Sequence, residues 1–149
     1  MNLNWQMGSS SMANFTTHGI DAVCMAFEEI AQMPDHVIED ILLAEAQVVK
    51  REEKSSAESM LQGPYYEGGV AAALEIGKVK RTSDGGHLFV TFEGMQHKNR
   101  VAEIAFVNEY GKESQPPRQF IRTAIAKCED EAVEAGADVY EKWLQSVGL

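Results

Sequence analysis

The sequence has no long hydrophobic run: Val70–Leu74 is five residues, against the roughly 18 to 20 consecutive apolar residues that a membrane-spanning helix needs. No charged-then-apolar secretory leader is present either, which leads us to expect a soluble, intracellular product. Cysteine is scarce. Cys24 and Cys128 stand far apart, each inside an apolar helical pattern, so a small buried and reduced thiol is the expectation for both, in place of a disulfide or a metal ligand. Basic residues are outnumbered, with 13 Lys and Arg against 23 Asp and Glu and a formal net charge of −10. That balance argues against a nucleic-acid-binding surface, because phosphate contacts need clustered cations that displace counterions. The nearest approach to a basic cluster, Lys78, Lys80 and Arg81, alternates along an extended segment before Asp84 and reads as a solvated strand face.

Motifs of known chemistry are also missing. His18, His36, His87 and His97 have no Cys, His or carboxylate at metal-site spacing, and neither HExxH nor CxxC occurs, so no metal site is expected. Gly-x-Ser-x-Gly, Ser-x-x-Lys and a phosphate-cradling glycine loop are absent; Gly68-Gly69 and Gly85-Gly86 fall where turns are expected. No cofactor is implied.

What remains is an ordinary globular composition, 44% hydrophobic with 149 residues. A chain of this length buries about 70% of the surface its unfolded form exposes, so it needs neither disulfides nor a structural metal. Residues 1–11, MNLNWQMGSSS, show no periodicity and read as a flexible leader or an arm added for expression, leaving 12–149 as a single domain. From Thr17 the stripe Ile20, Val23, Cys24, Phe27 and Ile30 predicts a short amphipathic helix closed by Pro34. Pro34 also suits the first turn of a second helix, with Val37, Ile41, Ala44 and Val48 beside Ile38, Leu42 and Val49 as its core face. That helix is expected to run to about Met60, where Gly63 and Pro64 break it into an exposed loop over residues 62–69.

The period then shortens to two. Leu74 and Ile76, a Ser83-Asp84-Gly85-Gly86 turn, and Leu88, Val90 and Phe92 predict a β-hairpin. Alternation over residues 101–107 predicts a third strand after a turn at 94–99, hence a three-stranded antiparallel meander. Pro116 and Pro117 exclude regular structure from 111–119, and a last helix carries the stripe Ile121, Ala124, Ile125, Cys128, Ala132, Ala135, Val139 and Trp143. Its other side is acidic, through Glu129, Asp130, Glu131, Glu134, Asp138 and Glu141. The expected fold class is therefore α+β: N-terminal helices, a three-stranded meander, and a long C-terminal helix packed on the sheet.

Among many carboxylates, Glu103 and Glu109 stand out because they lie in or beside the predicted third strand; an outward-facing strand glutamate is favoured over a catalytic one. Tyr65 and Tyr66, in a loop flanked by proline and glycine, either anchor a partner or pack over the sheet.

The segment Phe106-Val107-Asn108-Glu109-Tyr110-Gly111, followed by Gln115-Pro116-Pro117-Arg118-Gln119-Phe120-Ile121-Arg122-Thr123-Ala124, is the distinctive stretch. It resembles the gene-product-ten-like family of tailed-phage head–tail joining and tail-completion proteins, which show an apolar-x-Glu-aromatic-Gly strand end, a variable loop and a Pro-Arg-Pro-Phe-like helix start. Gly19-Ile20-Asp21 is similar to that family's opening, and Gln119 departs from it where a second proline usually precedes the phenylalanine. The resemblance implies a non-enzymatic minor component of the virion neck or upper tail. Such a protein is a homo-oligomeric ring around the tail axis with other neck and tail proteins as partners, and it occupies the host cytoplasm during assembly.

On that reading Tyr65, Tyr66, Glu109, Tyr110, Arg118, Phe120 and Arg122 are the expected partner-binding residues, and the contact surfaces are the 62–69 loop, the 108–119 corner and the acidic face of the last helix. Arg118 and Arg122, one turn apart, can reach Glu109 or a neighbouring subunit's carboxylate, and Phe120 can insert under the sheet. Two other classes stay open: a cytoplasmic adaptor or regulatory binding module of similar fold, and a small hydrolase using Glu103 or Glu109, which requires a concave pocket with a perturbed carboxylate.

Overall fold

The computed structural model describes residues 33–64, 66–83 and 85–148. The expected helix over Ile20, Val23, Cys24, Phe27 and Ile30, and Tyr65 and Asp84, lie outside the described residues. Everything below concerns the compact unit Met33–Leu149.

Pro34 sits at the N-cap of the first described helix, α1 (Asp35–Met60), where its fixed φ of −62° costs nothing and its carbonyl accepts the Val37 N–H at 3.0 Å. No glycine or proline interrupts the run until Gly63 and Pro64, so the helix ends where the sequence predicts. Its inward face changes character along its length. The first half buries Val37, Ala46 and Val48, and the second buries Glu53, Ser56 and Ala57.

The last helix, α4 in chain order, spans Phe120–Ser146 and buries Phe120, Ala124, Cys128, Ala132 and Gly136, one residue in every four. After Phe120 the row is of small residues, and it lies antiparallel along α1, as ion pairs Arg51–Glu131 (2.6 Å) and Lys127–Glu52 (3.7 Å) mark out. Those exposed pairs contribute under about 1 kcal/mol each; the seam is held by close packing, and a side chain at Gly136 would run into the Glu45 carboxylate. The expectation that the last helix packs on the sheet is thus corrected. α1 is its main support, and its first residue, Phe120, meets strand residue Phe92 edge-on with ring centroids 6.0 Å apart.

Between these helices come a single helical turn, α2 (Gly69–Ala72), and the predicted hairpin. Strand β1 (Leu74–Ile76) pairs antiparallel with β4 (Val90–Phe92), and β2 (Lys80–Thr82) with β3 (Gly85–His87). The two registers, Ile76↔Val90 and Lys80↔His87, leave residues 77–79 opposite 88–89, so the first arm carries one extra residue, a bulge that divides the ladder. Lys50–Glu75 (3.5 Å) and Arg81–Asp35 (2.7 Å) tie the hairpin to opposite halves of α1.

The predicted third strand is a helix. β5 (Met95–Gln96) and β6 (Asn99–Arg100) form a separate small hairpin, and Val101–Tyr110 is α3, so the three-stranded meander is replaced by three two-stranded pairings. The reason lies in burial: Val101, Ala105 and Glu109 recur every four residues and are the enclosed ones, whereas Phe106, an inward position of the strand pattern, is 61% exposed. A stretch apolar on nearly every position satisfies a period of two and a period of 3.6 alike, and packing decides. Here α3 joins Leu61, Val70, Ala71, Ala57 and Phe120 in the main core cluster. Among the described residues no helix is long and apolar enough to cross a membrane.

Candidate functional site

The corner between α3 and α4 is built from the inside outward. Glu109, 5% exposed, ends the buried row of α3, and its carboxylate accepts the backbone N–H groups of Ile121 (2.8 Å) and Arg122 (3.1 Å). These are donors in the first turn of α4 that have no intrahelical acceptor, and the N-cap residue Gln119 makes no side-chain cap. Glu109 thus does from α3 what an N-cap aspartate does locally, with its negative charge at the positive end of the helix dipole. Gly111 follows at φ 79°, where a Cβ would stand 2.7 Å from the Pro117 nitrogen and 2.8 Å from the Gln115 carbonyl oxygen. Lys112 and Gln115 exchange backbone hydrogen bonds of 2.8 and 2.9 Å, and the Arg118 N–H donates to the Asn108 carbonyl at 2.7 Å. Two prolines and these bonds hold the loop without regular structure.

This corner forms one wall of a cavity of about 550 Å³. Asn108, Gln115 and Arg118 supply that wall; Gln62, Gly63, Pro64 and Tyr66 of the α1–α2 loop supply the second; Glu67, Gln96, His97 and Asn99 close the third, over a floor of Val70 and Ile104. The side chains are ordered by one another. Asn108 Nδ2 donates to the Ile104 carbonyl (2.8 Å), Gln115 Nε2 donates to Asn108 Oδ1 (3.2 Å), and Arg118 reaches across to the Gln62 carbonyl (3.3 Å). At the opposite end Glu67 takes Gln96 Nε2 at 3.4 Å and lies 3.3 Å from His97 Nε2. His97 holds φ at 55° in the two-residue connection between β5 and β6, a position that favours glycine.

The structure therefore brings Tyr66 and Arg118 together and separates the other expected contact residues. Glu109 and Phe120 (0% exposed) are enclosed and present no side chain to a partner. Glu109 is a capping group within the core, which corrects its reading as an outward strand glutamate, while Glu103 is exposed on α3. Arg122 engages Glu109 through its backbone N–H, not its guanidinium. Tyr110, 62% exposed, lies outside the cavity against Phe106, with centroids 4.7 Å apart and the ring planes tilted by 45°. Tyr66 is half-buried, packs against the main core cluster, and keeps its hydroxyl away from solvent without a hydrogen-bond partner. Sequence reasoning missed the cavity's amide side chains and His97, which it weighed only as a metal ligand. The signal available was the predicted turn at 94–99, whose side chains a turn necessarily presents outward.

A second buried carboxylate lies behind the corner. Glu53 of α1 is 5% exposed, one of its oxygens has no hydrogen-bond partner, and burial, then the charge of Glu109, pushes its pKa up to about 7. It also lines a smaller pit of about 250 Å³ with Leu42, Ala46 and Leu88–Val90. Cys128, buried in the α1–α4 seam, has its thiol pKa raised, by burial first and by the charge of Glu52 and Glu53 next, which keeps it in the unreactive form. Among the described residues no group of three or more His, Cys, Asp or Glu side chains is placed to share a metal ion.

Comparison with known proteins finds no family model, no curated protein and no solved structure that matches this chain.

Proposed function

We propose that this chain is a non-enzymatic structural protein of a phage or prophage neck or upper tail, joining head to tail or completing the tail through protein–protein contacts. The observation that carries the reading is the division of labour within the distinctive stretch. Glu109, Gly111 and Phe120 are spent on fixing the corner, while Asn108, Gln115 and Arg118 line a polar cavity. A loop held this firmly on a packed scaffold is a recognition surface, and its polar wall suits another protein. The residues that fix the corner are also those through which the sequence resembles the head–tail joining and tail-completion proteins. Its partners are other neck and tail proteins and further copies of itself in a ring, within the virion and, during assembly, in the host cytoplasm.

The test is genetic. Deleting the gene from its source element and inducing particle production is expected to yield, by electron microscopy, full heads lying apart from tails or tails of abnormal length at the neck end. Intact, infectious particles would refute the proposal.

A further inference from the structure

We propose that the cavity between the α1–α2 loop, the β5–β6 connection and the α3–α4 corner takes an acidic side chain carried on an extended segment of a partner protein, with the carboxylate on the Arg118 guanidinium. The inference rests on the reading of that corner as a protein-binding surface and adds the chemistry of what it binds.

Arg118 carries the argument. Arg118 is a partly exposed residue whose guanidinium has no carboxylate within 4.0 Å among the described residues. Its side chain makes one bond, 3.3 Å to the Gln62 carbonyl, and its backbone is pinned by the 2.7 Å bond to Asn108. A planar cation held this way presents its remaining N–H donors in the fork that matches a carboxylate.

The surroundings select a peptide. Asn108 and Gln115 are oriented by the relay from the Ile104 carbonyl, and further carboxamides from Gln62 and Asn99 line the same space. Each carboxamide offers one acceptor and two donors, the complement of a peptide unit. Glu67 at the far end sets the sign limit. A phosphate or a nucleic-acid backbone would bring repeated negative charge towards Glu67 and a chain of net charge −10, whereas a single carboxylate neutralises Arg118 and stops there.

The experiment is an NMR titration of the ¹⁵N-labelled full-length chain with acetyl-Ala-Glu-Ala-amide, acetyl-Ala-Gln-Ala-amide and inorganic phosphate, repeated on R118Q. The expected result is a saturable shift of the Asn108, Gln115 and Arg118 resonances at millimolar Glu peptide, with affinity at least about tenfold above the Gln peptide. R118Q should erase that difference while keeping a native spectrum. Equal affinity for the two peptides, phosphate binding as tightly as the Glu peptide, or no saturable shift with any of the three would overturn the inference. Particle assembly distinguishes the two levels: unjoined particles on gene deletion together with a negative titration sink this inference alone, and intact particles on deletion sink the joining function.

Discussion

Replacing Glu53 by Gln tests the electrostatics of the core most directly. Glu53, on α1, is 5% exposed, with one oxygen unpartnered and the charge of Glu109 acting on it. Its pKa is pushed from 4.5 up to about 7, so the folded state holds the proton more tightly than the unfolded chain does. Stability from this group is fully present below about pH 4.5 and is lost as pH rises through about 7. At about 1.36 kcal/mol per pKa unit the whole shift corresponds to about 3 kcal/mol. Solvent screening through the adjoining pit that Glu53 lines reduces the expected effect to about 1 to 2 kcal/mol. E53Q keeps the shape and cannot ionise, so the repulsion from Glu109 is absent at every pH. Thermal melts from pH 4.5 to 8.5 should show the variant level with wild type at the acid end and more stable by roughly 3 to 10 °C at the alkaline end. E58Q, at an exposed position on the same helix, should shift nothing. A difference between E53Q and wild type that does not grow with pH, or an E53Q less stable at pH 8.5, would refute the reasoning.

E109A removes the carboxylate that caps α4, and charge-assisted hydrogen bonds of this kind contribute about 1.5 to 3 kcal/mol. The Ile121 and Arg122 amides should lose hydrogen-exchange protection, and the cost should be smaller at pH 8 than at pH 5, because loss of Glu109 relieves its repulsion of Glu53. G111A forces a left-handed φ of 79° on a residue with a Cβ and drives that Cβ against the Pro117 nitrogen; a loss of about 3 kcal/mol or more in denaturant unfolding is expected. F106S/Y110S changes two side chains that are 61% and 62% exposed, so the unfolding midpoint should move by no more than about 0.5 kcal/mol per site. A larger shift would show that the Phe106–Tyr110 pair supports the fold.

Helix α1, the hairpin and the last helix were legible because each has a repeated period and a clear stop: Pro34 and Gly63-Pro64, a two-glycine turn, Pro116-Pro117. α3 was not. Val101 to Val107 is apolar at alternate positions and at every fourth position alike, and only the contact of Val101 and Ala105 with Leu61 and Phe120, distant in sequence, chooses between them. The same limit applies to the partner of α4. Its stripe was readable, including Ala124, Cys128 and Ala132, but a stripe of small residues does not say whether a sheet or another helix fills the groove. α1 does so because its own inward face includes Ala46, Ser56 and Ala57, small enough for close approach. Arg118 and Tyr66 were singled out from their loops and do line the cavity, while Asn108 and Gln115 were quoted only as parts of a motif. Their role depends on a relay of hydrogen bonds to Ile104 that no spacing announces.

One consequence ties the core to the cavity. The backbone that aims Arg118 is fixed at both ends by buried groups, through its own N–H to Asn108 and, two residues on, through Phe120 in the core and the Glu109 cap on Ile121 and Arg122. Glu53 sits behind that cap and is the one described carboxylate whose raised pKa is tied to Glu109. Ionising it places a second negative charge beside the first in a poorly solvated space, which the fold can accommodate only by loosening the cap or admitting water. The E53Q comparison therefore reads more than stability. If the cap and the cavity are mechanically one unit, hydrogen exchange at Ile121 and Arg122 and at Arg118 should accelerate together as pH rises from 5 to 8, after correction for the intrinsic pH dependence of exchange, and E53Q should suppress all three changes. Acceleration at Ile121 and Arg122 alone would show that the Asn108 bond and the prolines hold Arg118 in place without the cap.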